Sequence, residues 1–338
     1  MKHINIPIFI PHLGCPHDCV FCNQRIISGK KNFNISSVEE EIEKVLKTSS
    51  LSDCNIEIAF FGGSFTGIDR SLMITLLDKA QKYVDSGLVG GIRMSTRPDY
   101  IDNEILDILD NYTISAIELG IQSMDDGVLE RSQRGHDSKA SKKACGMIKS
   151  RGYSLVGQMM IGLPGSDIQK EIETARILTE LDINAARIYP TVVFKNTELD
   201  HMMENGEYKA LSLEESIERS AAVAKVFIDN DIKILRIGLC SQDNLSEEET
   251  ITGGDYSPAI GEMTESRIYL NLVNDELEKT DTNSIDYLII ECPKGCTSKI
   301  IGHKKANKQY IAERYGIKKI KVIENDDLAG YNILLKYN

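Results

Sequence analysis

Residues 11–29 read PHLGCPHDCVFCNQRIISG and carry three cysteines, Cys15, Cys19 and Cys22, in a C-x3-C-x2-C pattern. Thiolate is the ligand that iron–sulfur clusters take. A zinc site would want a fourth ligand, and the cysteine pairs that bind zinc usually come twice. The fourth ligand is missing from this loop. The pattern therefore favours a cluster with one iron left open over zinc, and three buried, inert thiols are the remaining alternative.

Around this loop, apolar runs alternate with helical patterns. Strands are predicted at 6–10, 56–61, 91–95, 114–121, 155–161 and 185–189. A last apolar run at 232–237 closes the series. Helices are predicted at 38–46, 71–84, 102–109, 138–151, 167–181 and 213–229. This alternation indicates parallel βαβ units, and six repeats predict an α/β fold, a partial (β/α)6 barrel of the TIM type. The active site of such a barrel lies at the carboxyl ends of its strands.

The pattern changes after residue 239. Residues 241–254 are polar and end in Gly253-Gly254, which predicts a boundary between a barrel domain, residues 1–240, and a small C-terminal α/β extension, residues 253–338. In the extension, helices are predicted at 263–278 and 304–315, and strands at 285–291, 319–323 and 332–336. Cys240, Cys292 and Cys296 leave open an auxiliary cluster, although no fourth ligand other than His303 is evident.

Composition describes an ordinary soluble protein of 338 residues, with 41% hydrophobic and 27% charged residues. No apolar run approaches the length of a membrane span, and residues 1–10 lack the layout of a signal peptide. Eight cysteines without a secretion signal indicate a reducing compartment, so a cytoplasmic location is predicted. The net charge is −12; residues 284–338 carry ten Lys and Arg against six Asp and Glu, or +4, which leaves −16 for the rest.

Polar and glycine-rich segments follow the predicted strands. The strand at 56–61 runs into Gly62, Gly63 and Ser64, where glycines let the backbone approach a ligand closely. Glu118 and Gln122 end the fourth strand four residues apart, a spacing that puts both on one face. Polar groups inside a barrel cost free energy unless they are bonded, so both side chains are candidate binding residues.

The cysteine loop, with the aromatic Phe21 directly before Cys22, resembles that of radical S-adenosylmethionine enzymes. The resemblance implies a [4Fe–4S] cluster on the three cysteines, whose open iron chelates the amino and carboxylate groups of S-adenosylmethionine. One electron from the cluster then cleaves the cofactor to a 5′-deoxyadenosyl radical, which modifies a substrate. The resemblance also implies a partner protein that donates electrons, such as flavodoxin or ferredoxin.

The same resemblance implies roles for several residues. The turn formed by Gly62, Gly63 and Ser64 matches the motif that holds the methionine amino group, with Ser64 where the family often has Glu. The resemblance to oxygen-independent coproporphyrinogen oxidases implies that Gln122 contacts the ribose and that Arg134 binds the methionine carboxylate. An arginine fork matches a carboxylate in geometry and charge. Further cofactor contacts are implied for the side chains of Gln158 and Glu118 and for the backbone of residues 161–163.

A narrower resemblance covers roughly the first 240 residues. The segments SQRGHD (132–137), GLPG (162–165) and RIYPTVVFKNTEL (187–199) are similar to the catalytic subunit of the elongator tRNA-modifying complex, whose acetyltransferase domain is expected to be absent here. The chain is therefore expected to modify a tRNA or nucleotide. The acidic body keeps a small molecule or porphyrin-like substrate as the alternative, and a non-catalytic iron–sulfur protein is the third. The basic residues 284–338 support an anionic substrate. Within them, residues 302–305 read GHKK at a predicted helix start, where backbone N–H groups bind phosphate.

Overall fold

Seven parallel strands form the main sheet of the computed structural model, which describes residues 2–10, 13–15, 19–23, 26, 33–48, 54–239, 250–282 and 285–338. The strands are β1 (Lys2–Ile10), β2 (Cys54–Gly62), β3 (Gly91–Thr96), β4 (Ile114–Gln122), β5 (Ser154–Ile161), β6 (Ala185–Pro190) and β8 (Lys233–Ile237). Neighbours in sequence are neighbours in the sheet, in the order β1-β2-β3-β4-β5-β6-β8. The predicted partial TIM-type barrel is confirmed, and the run at 232–237 joins it as a seventh parallel strand beside β6.

Helices cover the outside of this sheet. They are α1 (Ser37–Thr48), α2 (Arg70–Asp85), α3 (Asn103–Leu109), α4 (Asp126–Arg131), α5 (Ser138–Ser150), α6 (Ile168–Glu180), α7 (Glu198–Glu204) and α8 (Leu213–Asp229). Five of them begin at an aspartate whose carboxylate accepts a backbone N–H in the first turn, namely Asp69, Asp102, Asp125, Asp137 and Asp167. Such caps satisfy N–H groups that the helix itself leaves unbonded, so they fix where these helices begin.

Alternation along the strands divides their side chains between two environments. On β4, Ile117, Leu119 and Ile121 belong to the main core beneath the helices, whereas Glu118 lies on the opposite, inner side of the curved sheet. Ala116, Val156 and Ala185, from three adjacent strands, pack with Leu235 into a small apolar cluster on that inner side. The interior of the half-barrel therefore has an apolar layer near the amino ends of its strands and charged residues above it.

Four short elements were not predicted from the sequence. Strands β7 (Val193–Phe194) and β9 (Ile251–Gly253) pair antiparallel, and α4 and α7 lie in segments to which the sequence analysis assigned no element. A strand of two or three residues shows no alternation that a sequence pattern could reveal. The pair ties residues just before the extension to the loop that follows β6. The predicted boundary at 240–253 stays a prediction, since residues 240–249 lie outside the described part of the chain.

The C-terminal extension, called the tail below, has a sheet and a core of its own. It comprises α9 (Ile260–Leu277), β10 (Tyr287–Cys292), α10 (Thr297–Ile301), α11 (Ala306–Tyr315), β11 (Lys319–Glu324) and β12 (Leu334–Tyr337). Strand β10 lies in the middle, parallel to β11 and antiparallel to β12. Helix α9 packs along α8: Ile268 joins the barrel core, while Tyr269, Val273 and Leu277 join the tail core. No helix within the described ranges is long and apolar enough to cross a membrane.

Candidate active site

Residues 13–15 of the cysteine loop lie directly on the glycine turn that follows β2. A Cβ atom on Gly14 would lie 2.2 Å from the carbonyl oxygen of Ser64, and one on Gly63 would lie 2.2 Å from that of Leu13. Gly63 also donates its N–H to the carbonyl of Ile10 at 2.9 Å. The two backbones touch, and only glycine permits an approach this close. The two segments that the sequence singled out separately thus form one structural unit at the carboxyl end of the sheet.

Val20 anchors the second half of the cysteine loop. Its N–H donates to the carbonyl of Ser132 at 3.2 Å, and its carbonyl accepts the N–H of Leu199 at 2.8 Å. Val20 and the neighbouring Phe21 are buried in a small core that includes Leu163. Residues 20 and 21 are therefore held between the end of α4, the beginning of α7 and the turn after β5.

The structure brings Cys15 and Cys19 close to two arginines. Burial raises the pKa of the Cys15 thiol, and the neighbouring Cys19 adds to the rise. The backbone N–H of Ser64 and the charges of Arg97 and Arg134 oppose it. Within the described ranges, no three His, Cys, Asp or Glu side chains are grouped closely enough to hold a metal ion. A cluster on all three cysteines therefore stays a prediction.

Arg134 lies beside these thiols. Its Nη1 donates to the Cys19 sulfur at 3.1 Å and its Nη2 to the Gly120 carbonyl at 2.6 Å, while its buried Nε has no hydrogen-bond partner among the described residues. Arg97 donates to both carboxylate oxygens of Asp99 at 2.9 Å and to the carbonyl of Arg134. Its Nη1 is also buried without a described partner. Unpaired, buried guanidinium N–H groups beside thiols suit an anionic ligand, so the residues present fit a cluster and a carboxylate.

Ser64 joins the glycine turn to β3. Its Oγ lies 2.9 Å from Thr96 Oγ1 and accepts the backbone N–H of Arg97 at 3.1 Å. Thr66 continues this network, with its Oγ1 2.6 Å from Thr96 Oγ1 and 2.8 Å from the carbonyl of Tyr100. The side chain of Ser64 is thus occupied in positioning the turn, which leaves its backbone as the part that faces Cys15.

Gln122 and Gln158 meet on adjacent strands, as their predicted roles require. Gln158 Nε2 donates to Gln122 Oε1 at 3.5 Å, a long hydrogen bond. The pairing of β4 with β5 shifts register between Gly120 and Gln122, and Gln122 has a φ of 69°. A left-handed conformation is strained for a residue other than glycine and is often found at functional sites. The two amides therefore lie together at the carboxyl edge of the sheet, although their contact with a ribose stays a prediction.

Glu118 lies one layer deeper and is already paired. Arg187 Nε donates to its carboxylate at 2.7 Å, and Arg93 Nη2 lies 3.0 Å from the other oxygen. Arg93 also donates to Glu57 at 3.0 Å, and Arg187 lies over the ring of Phe61 at 5.8 Å. The resemblance implied a cofactor contact for Glu118, but both of its oxygens are used by these arginines. The sequence did not reveal the partners because they come from β3 and β6.

The GLPG turn after β5 is held from both sides. The N–H of Gly162 donates to Glu171 Oε1 at 2.7 Å, and its carbonyl accepts Tyr208 Oη at 2.7 Å. Ser166 Oγ also donates to Glu171, and Arg219 on α8 forms an ion pair with it. Burial raises the pKa of Glu171, and the hydrogen bonds from Arg219 and Gly162 oppose the rise. This network fixes the peptide for which an adenine contact was predicted.

His136 is a residue that the sequence interpretation missed. Its side chain is buried, neither ring nitrogen has a hydrogen-bond partner among the described residues, and Nδ1 lies 3.8 Å from Asp99. Burial lowers its pKa to about 4, and the charge of Arg134 contributes. Its position in SQRGHD, two residues after Arg134, is the feature of the sequence that could have identified it as a site residue. His136 is therefore a neutral imidazole beside the arginine pair at neutral pH.

Comparison with known families gives two matches. The model described as Radical SAM superfamily matches residues 9–178, and the Radical_SAM C-terminal domain matches residues 183–271. Among individual proteins, an uncharacterized protein of Methanocaldococcus jannaschii is 36% identical over 221 residues, which cover 62% of this chain and 67% of that protein.

Two longer relatives match over a smaller share of their length. The tRNA uridine(34) acetyltransferase of Methanocaldococcus jannaschii is 28% identical over 199 residues, 53% of this chain and 36% of that protein. Elongator complex protein 3 of Bos taurus is 32% identical over 153 residues, 43% of this chain and 27% of that protein. The chain thus spans well under half of either relative.

Among solved structures, Elp3 of the archaeon Methanocaldococcus infernus, with an N-terminal deletion, superposes with a TM-score of 0.62. The sequences are 22% identical, and the superposition covers 82% of this chain and 63% of that one. At this identity the likeness shows a shared fold alone.

Proposed function

The chain belongs to the radical SAM superfamily, in its Elongator-like branch, and we propose that it cleaves S-adenosylmethionine at a [4Fe–4S] cluster to modify an RNA of the tRNA class. The observation that carries the proposal is the convergence of Cys15 and Cys19 with two buried arginines, each with an N–H left unpaired, at the carboxyl edge of a half-barrel. When bound and reduced, such a cluster supplies the electron that breaks a carbon–sulfur bond of the cofactor.

Each side chain of the proposed site has a distinct task. Cys15, Cys19 and Cys22 would hold the cluster, and Arg134 would offer its guanidinium to the methionine carboxylate. Its buried Nε–H has no partner among the described residues, which leaves a donor for that carboxylate. Arg97 holds the Arg134 backbone in place, because its guanidinium bridges the Arg134 carbonyl and Asp99.

The glycine turn and the two glutamines bind the rest of the cofactor. Gly62, Gly63 and Ser64 present backbone groups to the methionine amino end, while Gln122 and Gln158 offer their amides to the ribose. Glu118 forms ion pairs with Arg93 and Arg187. We therefore propose that it supports the site from below and makes no direct contact with the cofactor.

Two observations favour an RNA substrate. A relative that is 28% identical over 199 residues is named for tRNA uridine 34, and residues 284–338 within the tail carry +4 against −16 for the rest of the chain. The acidic body supports a second candidate, a small-molecule or porphyrin-like substrate. A soluble electron donor such as flavodoxin or ferredoxin would serve either reaction.

The test is anaerobic reconstitution with iron and sulfide, followed by reduction with dithionite in the presence of S-adenosylmethionine. We expect 5′-deoxyadenosine and methionine by mass spectrometry, and a further mass change in a tRNA fraction from cells lacking this protein. Deoxyadenosine without any change in RNA would point to the small-molecule substrate, and its absence in a fully reconstituted sample would refute the proposal.

Replacing Arg134 by Ala should weaken binding of S-adenosylmethionine. A charge-assisted hydrogen bond is worth about 1.5–3 kcal/mol, so the dissociation constant should rise roughly tenfold to a hundredfold. Titration calorimetry on the reconstituted protein measures this. Arg176→Ala removes the same side chain from the exposed face of α6 and should change nothing. Equal affinity in the two variants would show that Arg134 does not contact the cofactor.

Tyr208→Phe should loosen the turn proposed to bind adenine. The variant keeps the ring and removes only the hydrogen bond to the Gly162 carbonyl, worth about 0.5–1.5 kcal/mol. Affinity for S-adenosylmethionine should therefore fall by up to about tenfold. Tyr112→Phe is the matched control, since its hydroxyl donates to Asp78 on the helical side of the barrel. Identical cofactor affinity in both variants would exclude this role for Tyr208.

A further inference from the structure

The three-stranded sheet of the tail has one covered face and one open face. Leu288, Ile290 and Ile320 are buried in the tail core, which includes residues of α9 and α11. Side chains alternate along a strand, so the residues between them lie on the opposite face. These are Tyr287 and Ile289 on β10, Lys319 and Lys321 on β11 and Lys336 on β12, which together are called the lysine face.

The lysine face combines basic and aromatic groups in register. Lys319 is paired with Tyr287 across the sheet, and its Nζ lies 5.3 Å from the centre of that ring. Lys321 and Lys336 are paired with Ile289 from its two sides. All three lysines are exposed, while Tyr287 and Ile289 are half-buried. The arrangement offers a row of cations beside an accessible aromatic ring.

Few carboxylates compensate this charge. Glu291 is bound by Lys336 and by Asn325, and Asp286 is paired with Lys318. Lys319 and Lys321 form no ion pair with any carboxylate in the part of the chain that the structure describes. Lys319 and Lys321 therefore stand out on a chain whose residues 1–283 carry −16. Their like charges repel each other, and an anion bound between them would relieve that repulsion.

We propose that the lysine face binds the sugar–phosphate backbone of RNA, with Tyr287 stacking on an unpaired base. Lysines neutralise phosphates without regard to sequence, and aromatic rings add stacking with any base. This inference rests on the proposed RNA substrate and extends it to a surface that the active site does not include. A partner protein would find only two half-buried apolar groups here, between repelling charges.

The position of the lysine face determines which part of the RNA it can bind. Helix α9 lies between the tail sheet and α8 of the barrel, so the lysine face is turned away from the barrel helices. It therefore binds a region distant from the nucleotide at the active site. A substrate that touches both places must be much larger than a nucleotide, as a folded RNA is.

The test compares two double variants with equal loss of charge. Lys319→Ala/Lys321→Ala alters the lysine face, and Lys142→Ala/Lys143→Ala removes two exposed lysines from α5. Binding of a fluorescein-labelled uridine 20-mer and of a total tRNA fraction is measured by anisotropy on the reconstituted, full-length protein. We expect the first pair of substitutions to weaken binding of the uridine 20-mer at least about tenfold. The slope of log affinity against log salt concentration should become shallower by about 1.4. The second pair should have little effect on either quantity.

The aromatic contribution is tested separately. Tyr287→Ala should weaken binding of the uridine 20-mer by about fivefold to a hundredfold, whereas Tyr287→Phe, which keeps the ring, should bind as the parent protein does. Tyr310→Ala, an exposed tyrosine on α11, is the matched control. Circular dichroism and cofactor cleavage on the same samples confirm that each variant is folded.

Three results would overturn the proposal: no RNA binding by the parent protein, equal losses in both double variants, or RNA binding unchanged by Lys319→Ala/Lys321→Ala. A dimer that only this double variant dissociates would assign the surface to a second copy of the chain. Formation of 5′-deoxyadenosine is recorded in every case. If the lysine face does not bind RNA but 5′-deoxyadenosine still forms, only the lysine-face proposal is wrong. If no 5′-deoxyadenosine forms, the proposed enzymatic function is wrong.

Discussion

Replacing Cys15, Cys19 or Cys22 by Ala should leave the protein almost without iron and unable to form 5′-deoxyadenosine. Three thiolates are the fewest that can hold a cubane cluster with one open iron, so two remaining ligands should not retain it. The parent protein should bind about four irons after anaerobic reconstitution. Iron analysis and the visible absorption of the cluster measure the first effect, and product analysis the second.

Cys54→Ala is the matched control for these variants. Cys54 begins β2 and is half-buried, at the end of the strand opposite to the glycine turn, so its loss should leave iron content and cleavage unchanged. A parent protein that binds one zinc tightly and no iron would contradict the assignment. So would a Cys22→Ala variant with full iron content, since that result would remove one of the three proposed ligands.

Glu118→Ala should destabilise the fold by about 3–5 kcal/mol, because it leaves two buried arginines without their shared carboxylate. The side chains of Arg93, Arg187 and Glu118 are 7%, 12% and 2% exposed, so water cannot replace the lost partner. Urea unfolding of the cluster-free protein, followed by circular dichroism, gives the free energy of unfolding without any contribution from the cofactor.

Glu104→Ala provides the comparison for Glu118→Ala, since the Glu104 side chain is 74% exposed and its ion pair with Arg70 is 3.6 Å long. It should cost less than about 1 kcal/mol. If Glu118→Ala were equally mild, the charged layer would not support the barrel. A stable Glu118→Ala variant with weakened cofactor binding would instead support the direct contact between Glu118 and the cofactor that the family resemblance implied.

The sequence predicted the strands of the barrel because each is a compact apolar run between helical patterns. Gln122 and Gln158 lie together because parallel strands bring their carboxyl ends to one edge, while the ribose contact predicted for each stays a prediction. Spacing alone placed Glu118 on the inner side of the sheet. It could not show that Arg93 and Arg187 would occupy the carboxylate, because those partners are 25 and 69 residues away in the chain.

Other features were beyond the sequence for physical reasons. The bond between Arg97 and the carbonyl of Arg134 depends on how two loops fold over each other. The neutrality of His136 depends on complete burial, which no pattern of neighbouring residues predicts. The lysine face depends on the register of three strands. The +4 charge of residues 284–338 was visible in the sequence, but the distribution of those lysines over one surface was not.

The contact between Gly14 and the carbonyl of Ser64 also determines which mutations this chain tolerates. A methyl group at residue 14 or 63 would overlap a backbone oxygen, which cannot move aside without displacing the loop. Gly146, on α5, has open space around its missing Cβ, so a replacement there meets no obstacle. Substitutions near the active site are therefore limited by the space between two backbone segments as well as by ligand chemistry. Gly14 and Gly63 are restricted in this way although neither carries a reactive group.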